Sequence, residues 1–126
     1  LDFEKNSAPY IQYTHARACS ILRKAARKPE NPVYELLKEK IEHEIVLDLA
    51  SFPDIFIEAT EFLKPNMIAD FANALSDKFN TFYNALPVIK AEPRELSDAR
   101  LALVDAVRIA LRNAFTLIGV VAPERM

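Results

Sequence analysis

Two tyrosines and two cations share one stripe near the start of the chain. At about 100° per residue around a helix, Tyr10, Tyr13, Arg17 and Lys24 fall together. Ile11, Ala18, Leu22 and Ala25 fall on another side, about 120° away by the same geometry. Aromatic rings interleaved with arginine and lysine suit unpaired RNA bases, because the rings stack on base faces while the cations meet phosphates. The same spacing suits two tyrosines packed on a neighbouring helix with their hydroxyls at the rim. On spacing alone the packed arrangement is the commoner one, and both stay open.

Other groups with chemical potential are sparse. His15 and Cys19 lie four apart and could touch on a helix. A nucleophile also needs an orienting third group and an oxyanion site, and the sequence suggests neither. His15 therefore reads as a packed, hydrogen-bonded histidine and Cys19 as a small buried side chain. Glu39, Glu42, Glu44 and Asp48 could be imagined as carboxylate ligands, but they read as a solvated helix face. One cysteine excludes an internal disulfide and argues against a thiolate zinc site, and two histidines leave little for a histidine metal site. The single glycine, Gly119, excludes a glycine-rich phosphate loop or a dinucleotide fingerprint. No catalytic residue is expected.

The elements that must position the tyrosine stripe are helices, since no segment sustains period-two patterning. Eight prolines divide the chain. The first helix is predicted from Ser7, as N-cap, to about Lys28, with Pro9 in its first turn. Pro29 and Pro32 enforce a turn. A second helix is predicted from Val33 to Ser51, and a third, shorter one from Pro53 to near Leu63. Asn66 is a candidate N-cap for the fourth, whose apolar side carries Ile68, Phe71, Ala72, Leu75, Phe79, Phe82 and Tyr83. Pro87 to Pro93 reads as a connector lying over the core. Ser97 is the candidate cap of the fifth helix, and Gly119 its C-terminal cap. Ala102, Ala106, Ala110 and Ala114 form a row of small side chains that would let another helix approach closely. The expected fold is all-α, a single-domain bundle of about five helices.

At 126 residues, 51% hydrophobic and 27% charged, the chain reads as one globular domain spanning residues 1–126. The first residue is Leu1 and no secretion signal follows, so a piece of a larger intracellular, cytoplasmic protein is expected. No stretch is long and apolar enough to suggest a membrane span. The net charge of −2 argues against a generic nucleic-acid binder, but its distribution is uneven. Residues 9–28 carry five bases and no acid, whereas residues 29–63 carry nine acids against Lys38 and Lys40. A basic stripe on an acidic body could meet a phosphate backbone at one surface only. Each run also reads, more simply, as the solvated face of a helix.

The stretch Pro9-Tyr10-Ile11-Gln12-Tyr13-Thr14-His15-Ala16-Arg17 resembles the start of the anticodon-binding domain of arginyl-tRNA synthetases. Residues 99–108 are similar to the region that names this domain for its Asp-Ala-Leu-Arg signature, with Val107 in place of the leucine. Phe79-Asn80-Thr81-Phe82-Tyr83-Asn84 and the ending Leu117–Met126 are similar to further stretches of the family. Asn113-Ala114 departs from a common Asn-Gly, and residues 30–63 offer little to match.

The resemblance implies a class I synthetase helical domain that grips the anticodon stem and loop of arginine tRNA. It also implies that the catalytic domain of the same parent chain lies elsewhere and uses ATP and magnesium. The two ATP-site signatures of that part are absent here, so this domain is expected to hold no cofactor and to lack aminoacylation by itself. Carried over by position, the family's loop contacts fall on Tyr10, Tyr13, Phe79, Tyr83 and Met126. Arg17 and Lys24 would meet phosphates, and Arg125 with Met126 would read base edges. Arg100 reads as a helix-start or interhelical residue. DNA and membranes are not expected partners. The rival reading is a helical protein-interaction module using the alanine row and the acidic face. Cysteinyl-tRNA synthetases, which carry a related helical domain, match the Tyr10–Arg17 stretch less well.

Overall fold

A computed structural model of the chain describes residues 7–118. Among these, the regular elements are four α-helices and one 3-10 turn. They are α1 (Ser7–Ala25), α2 (Lys40–Glu61), α3 (Pro65–Ala85) and α4 (Arg94–Leu117), with the 3-10 turn at Tyr34–Leu36. Gly119, Arg125 and Met126 lie outside the described residues.

The apolar stripe of α1 becomes core: Ile11, Ala18 and Ile21 are buried, and Leu22 and Ala25 pack against them. The helix stops three residues short of Lys28. Ala26 turns to φ 54°, its N–H reaching Leu22 O at 3.3 Å. Pro29 disfavours helical geometry at Lys28, and Arg27 is drawn off to bond Asp98 and Ser97 of α4.

The two helices expected on either side of Ser51–Pro53 are one. Pro53 lies inside α2, where its ring removes one backbone bond and costs about 3 kcal/mol. Packing overrides that penalty. Ile45 and Ala59, on either side of Pro53, are buried in the same core. Phe52, next to the proline, stacks on Phe71 of α3 with centroids 4.7 Å apart and planes at 18°. Breaking the helix would separate these groups. The expected start at Val33 gives way to the 3-10 turn, and Glu42 starts the true helix by accepting the Glu39 N–H at 3.1 Å.

α2 closes with Leu63 at φ 53°, and two bonds complete a reversing cap: Lys64 N to Ala59 O at 2.8 Å and Leu63 N to Thr60 O at 3.4 Å. Pro65 then opens α3, which places Asn66 inside the helix rather than at its cap. α4 opens at Arg94 behind Pro93, so Ser97 is not a cap either. Ser97 is buried in the first turn, its hydroxyl facing the Val88 and Ile89 carbonyls at 2.7 and 3.1 Å. That contact holds the connector, with Val88 buried and Ile89 exposed.

The helices pack around one core, with α1 against α3 and α4, and α2 against α3 and α4. Phe79, Phe82, Leu101, Val104, Val107, Leu111 and Phe115 fill its centre. Two ion pairs tie α2 to its neighbours. Lys78 reaches Asp48 at 2.7 Å, and the buried Arg100 reaches the buried Glu42 at 2.7 Å. Arg100 also donates to Pro87 O at 2.9 Å, so it is an interhelical residue. Glu42 is thus not part of a solvated face.

Candidate nucleic-acid interface

Adjacent helices place one row of side chains from α1 beside one from α3. On α1 the row is Tyr10, Tyr13, Arg17 and Lys24, and on α3 it is Asp77, Asn80 and Tyr83. Tyr13 is 39% exposed and Tyr83 40%, so each residue is partly open to solvent. Between them sits Arg17, its guanidinium carbon 4.7 Å from the Tyr13 centroid and 4.1 Å from that of Tyr83. A cation attracted to both rings draws residues of two helices into one cluster. Arg17 also donates to the Tyr13 hydroxyl and, at 2.8 Å, to Asn80 Oδ1.

Tyr10 lies one turn before Tyr13 and is half-buried. Its hydroxyl donates to Asp77 Oδ1 at 2.6 Å and accepts from Asn80 Nδ2 at 3.1 Å. Burial raises its ionisation above the ordinary tyrosine value, and the Asp77 hydrogen bond and charge add to the rise. The Asn80 hydrogen bond and the Arg17 charge pull the other way. The hydroxyl of Tyr10 therefore packs at a helix boundary, as the plainer reading of the stripe has it.

Below the rings runs a groove of about 400 Å³ whose walls include Tyr13, Arg17, Ser20, Arg23, Lys24 and Tyr83. It joins a second hollow of about 480 Å³ that shares Ile21, Lys24 and Tyr83 and extends to Ile89 and Lys90. Lys24 is exposed at this junction. Flat rings, a planar cation and further cations around one groove can stack unpaired bases and neutralise phosphates.

Phe79 does not belong to this surface. It is fully buried, with its ring 5.9 Å from that of Phe82. Tyr83 and Phe79 are one turn apart, and the step between them crosses from core to solvent. A buried ring has no face for a base, so Phe79 offers no stacking surface. Arg17 carries two hydrogen bonds, to the Tyr13 hydroxyl and to Asn80 Oδ1, besides its two ring contacts. Arg125 and Met126 fall outside the described residues. Asn80 and Asp77 were missed as site residues. Their spacing with Asn84, three and four apart, forms a polar row along α3 beside its apolar face, a signal that could have found them.

Elsewhere, His15 is buried, edge-on to Phe115 at 84°, with Cys19 Sγ 3.8 Å from its Nδ1. The alanine row is split. Ala110 and Ala114 are buried in the core, whereas Ala102 and Ala106 line an apolar cleft of about 610 Å³ with Tyr34, Leu37, Val46 and Leu47. Among the described residues, no helix is long and apolar enough to cross a membrane.

A model of the DALR anticodon binding domain matches residues 11–126, nearly the whole chain. The chain belongs to the DALR anticodon-binding domain family. The arginine–tRNA ligase of Methanosarcina mazei is 47% identical over 131 residues, covering all of this chain and 23% of that protein. That of Pyrococcus abyssi is 49% identical over 134 residues, covering all of this chain and 21% of that protein. The structure of Thermus thermophilus arginyl-tRNA synthetase superposes with a TM-score of 0.87 at 36% identity, over 99% of this chain and 22% of that one. The DALR domain described here thus spans less than a quarter of the length of the relatives it matches.

The Asp105-Ala106-Val107-Arg108 stretch, which resembles the Asp-Ala-Leu-Arg signature, lies in α4. Val107, in place of the leucine, is buried, and Arg108 bonds back to Asp105 through Nε and Nη2, each at 2.8 Å. Those residues shape α4 and its packing. The aromatic groove is built by α1 and α3.

Proposed function

We propose that this DALR domain binds the anticodon stem-loop of an arginine tRNA and presents it to a catalytic part of a longer chain. The observation that carries the reading is the convergence of Tyr13 and Tyr83, from two helices, at the solvent boundary around Arg17. Loop bases unstack from one another and settle on the open faces of these rings, with Tyr10 at the flank. Each such stack is worth about 1–3 kcal/mol by alanine substitution. Lys24 meets neighbouring phosphates, and Arg17 offers its remaining edge to a phosphate or a base. Stacking alone discriminates poorly between bases, so Arg125 and Met126 are assigned the reading of base edges. The catalytic part consumes ATP, with magnesium, to attach arginine, and this domain holds neither. The work belongs to translation in the cytoplasm.

The test is binding of an RNA hairpin carrying the arginine anticodon loop by Tyr10→Ala, Tyr13→Ala and Tyr83→Ala variants, each checked for helicity by circular dichroism. Loss at Tyr13 and Tyr83 with helicity intact supports the reading. Unchanged affinity across all three variants overturns it. A protein-interaction role through the apolar cleft would give a contact nearly indifferent to salt, whereas phosphate neutralisation makes RNA affinity fall steeply as salt rises.

A further inference from the structure

An asparagine side chain offers one acceptor and two donor hydrogens. At Asn80 all of these are used, and all face α1. Arg17 can only donate, so Oδ1 must be the atom that meets its Nη1 at 2.8 Å. That fixes the amide's orientation and turns Nδ2 toward two hydroxyls. Nδ2 donates to Tyr10 at 3.1 Å and to Thr14 Oγ1 at 2.9 Å. Both hydroxyls have a lone pair to give, because Tyr10 spends its own hydrogen on Asp77 and Thr14 spends its own on Tyr10 O at 2.9 Å. Every donor finds an acceptor and no assignment conflicts. Tyr10, Thr14 and Arg17 follow one another along one side of α1, so a single α3 side chain grips three successive positions.

Arg17 left to itself has many rotamers, and a mobile guanidinium could not keep Tyr13 and Tyr83 at a fixed separation. Asn80 bonds Nη1 of the guanidinium while its central carbon lies 4.7 Å from the Tyr13 centroid and 4.1 Å from that of Tyr83. We propose that Asn80 is a positioning residue for the RNA site: it holds the Arg17 guanidinium against Tyr13 and Tyr83 and so presets the stacking surface before any base arrives. It acts through Arg17 and touches no nucleotide. This inference rests on the anticodon-loop reading and adds to it the device that preorganises the rings.

The experiment is a double-mutant cycle on hairpin affinity with Asn80→Ala, Arg17→Ala and the pair. Asn80→Ala is expected to weaken hairpin binding about tenfold, the scale of losing one hydrogen bond to a charged group. In the Arg17→Ala background the same change is expected to cost less than about twofold, because coupled residues are not additive. A second readout needs no RNA. In nitrogen-15 NMR the Arg17 guanidinium should give separate, slowly exchanging Nη signals in the unaltered domain and averaged ones in Asn80→Ala. Asn80→Ser replaces Asn80→Ala if the latter fails to fold. Additive losses in the cycle, or unchanged Arg17 signals, overturn the proposal while leaving hairpin binding by the unaltered domain intact. Absence of hairpin binding by the unaltered domain overturns the anticodon-loop reading and the proposal with it.

Discussion

Phe79 and Tyr83 stand one helical turn apart on α3 and end in different environments, one fully buried and one 40% exposed. Their alanine variants should separate stability from binding. Phe79→Ala is expected to cost about 3–5 kcal/mol of stability, measured by denaturant unfolding, through the cavity it opens. Tyr83→Ala is expected to leave stability within about 1 kcal/mol and to weaken hairpin binding by about 1–3 kcal/mol. Asp98 gives a pH-dependent counterpart. Burial works to raise its carboxyl, but hydrogen bonds from Asn31 N–H, Arg27 and Glu30 N–H outweigh it and hold it below the usual carboxylate range. A carboxyl with a lowered native value stabilises the fold above its unfolded value of about 3.9 and loses that contribution as pH falls through the native one. Acid unfolding below about pH 4 should therefore be blunted in Asp98→Asn, which is also less stable at pH 7. The stripe of Tyr10, Tyr13 and Arg17 was legible in the sequence because helical spacing alone groups them. Phe79 was misplaced because one turn of spacing cannot say which of two neighbours falls inside the rim. Asn80 was overlooked because its partners lie more than sixty positions away.

At the scale of elements, the prolines were a good guide where they coincide with a chain reversal and a poor one where packing runs through them. Pro29 and Pro65 mark true boundaries, since Ala26 and Leu63 already leave helical geometry before them. Pro53 has no such reversal, and the contacts of Phe52 and Ala59 carry α2 past it. Local sequence could not register the Phe52 stack, because it is made with Phe71 of α3. Leu63 is 86% exposed and sits in a left-handed conformation that glycine adopts without a side-chain clash. Leu63→Gly should raise stability by about 1 kcal/mol, read from the unfolding midpoint. The α2–α4 tie makes the opposite prediction. Glu42→Ala leaves Arg100 buried without its partner and should cost about 3–5 kcal/mol, whereas replacing both residues by apolar side chains of similar volume should recover most of the loss.

Across the whole molecule, the net charge of −2 conceals a division of labour. The basic run of α1 borders the aromatic groove, and the acidic run lies in α2 and the segment before it. Such a body meets a polyanion on one side and repels it on another, which fixes orientation as well as adding affinity. The bundle class and the aromatic and basic stripe of α1 could be read in advance, because both follow from periodicity and charge along single segments. Which helices meet at the groove could not, because that depends on how α1, α3 and α4 share one core. The measurement that goes most directly to the central claim is a titration of this domain with an arginine tRNA and with the same tRNA carrying a swapped anticodon. The account predicts markedly weaker binding of the swapped tRNA, with the difference shrinking in Tyr13→Ala and Tyr83→Ala. Equal affinity for the two tRNAs would contradict it.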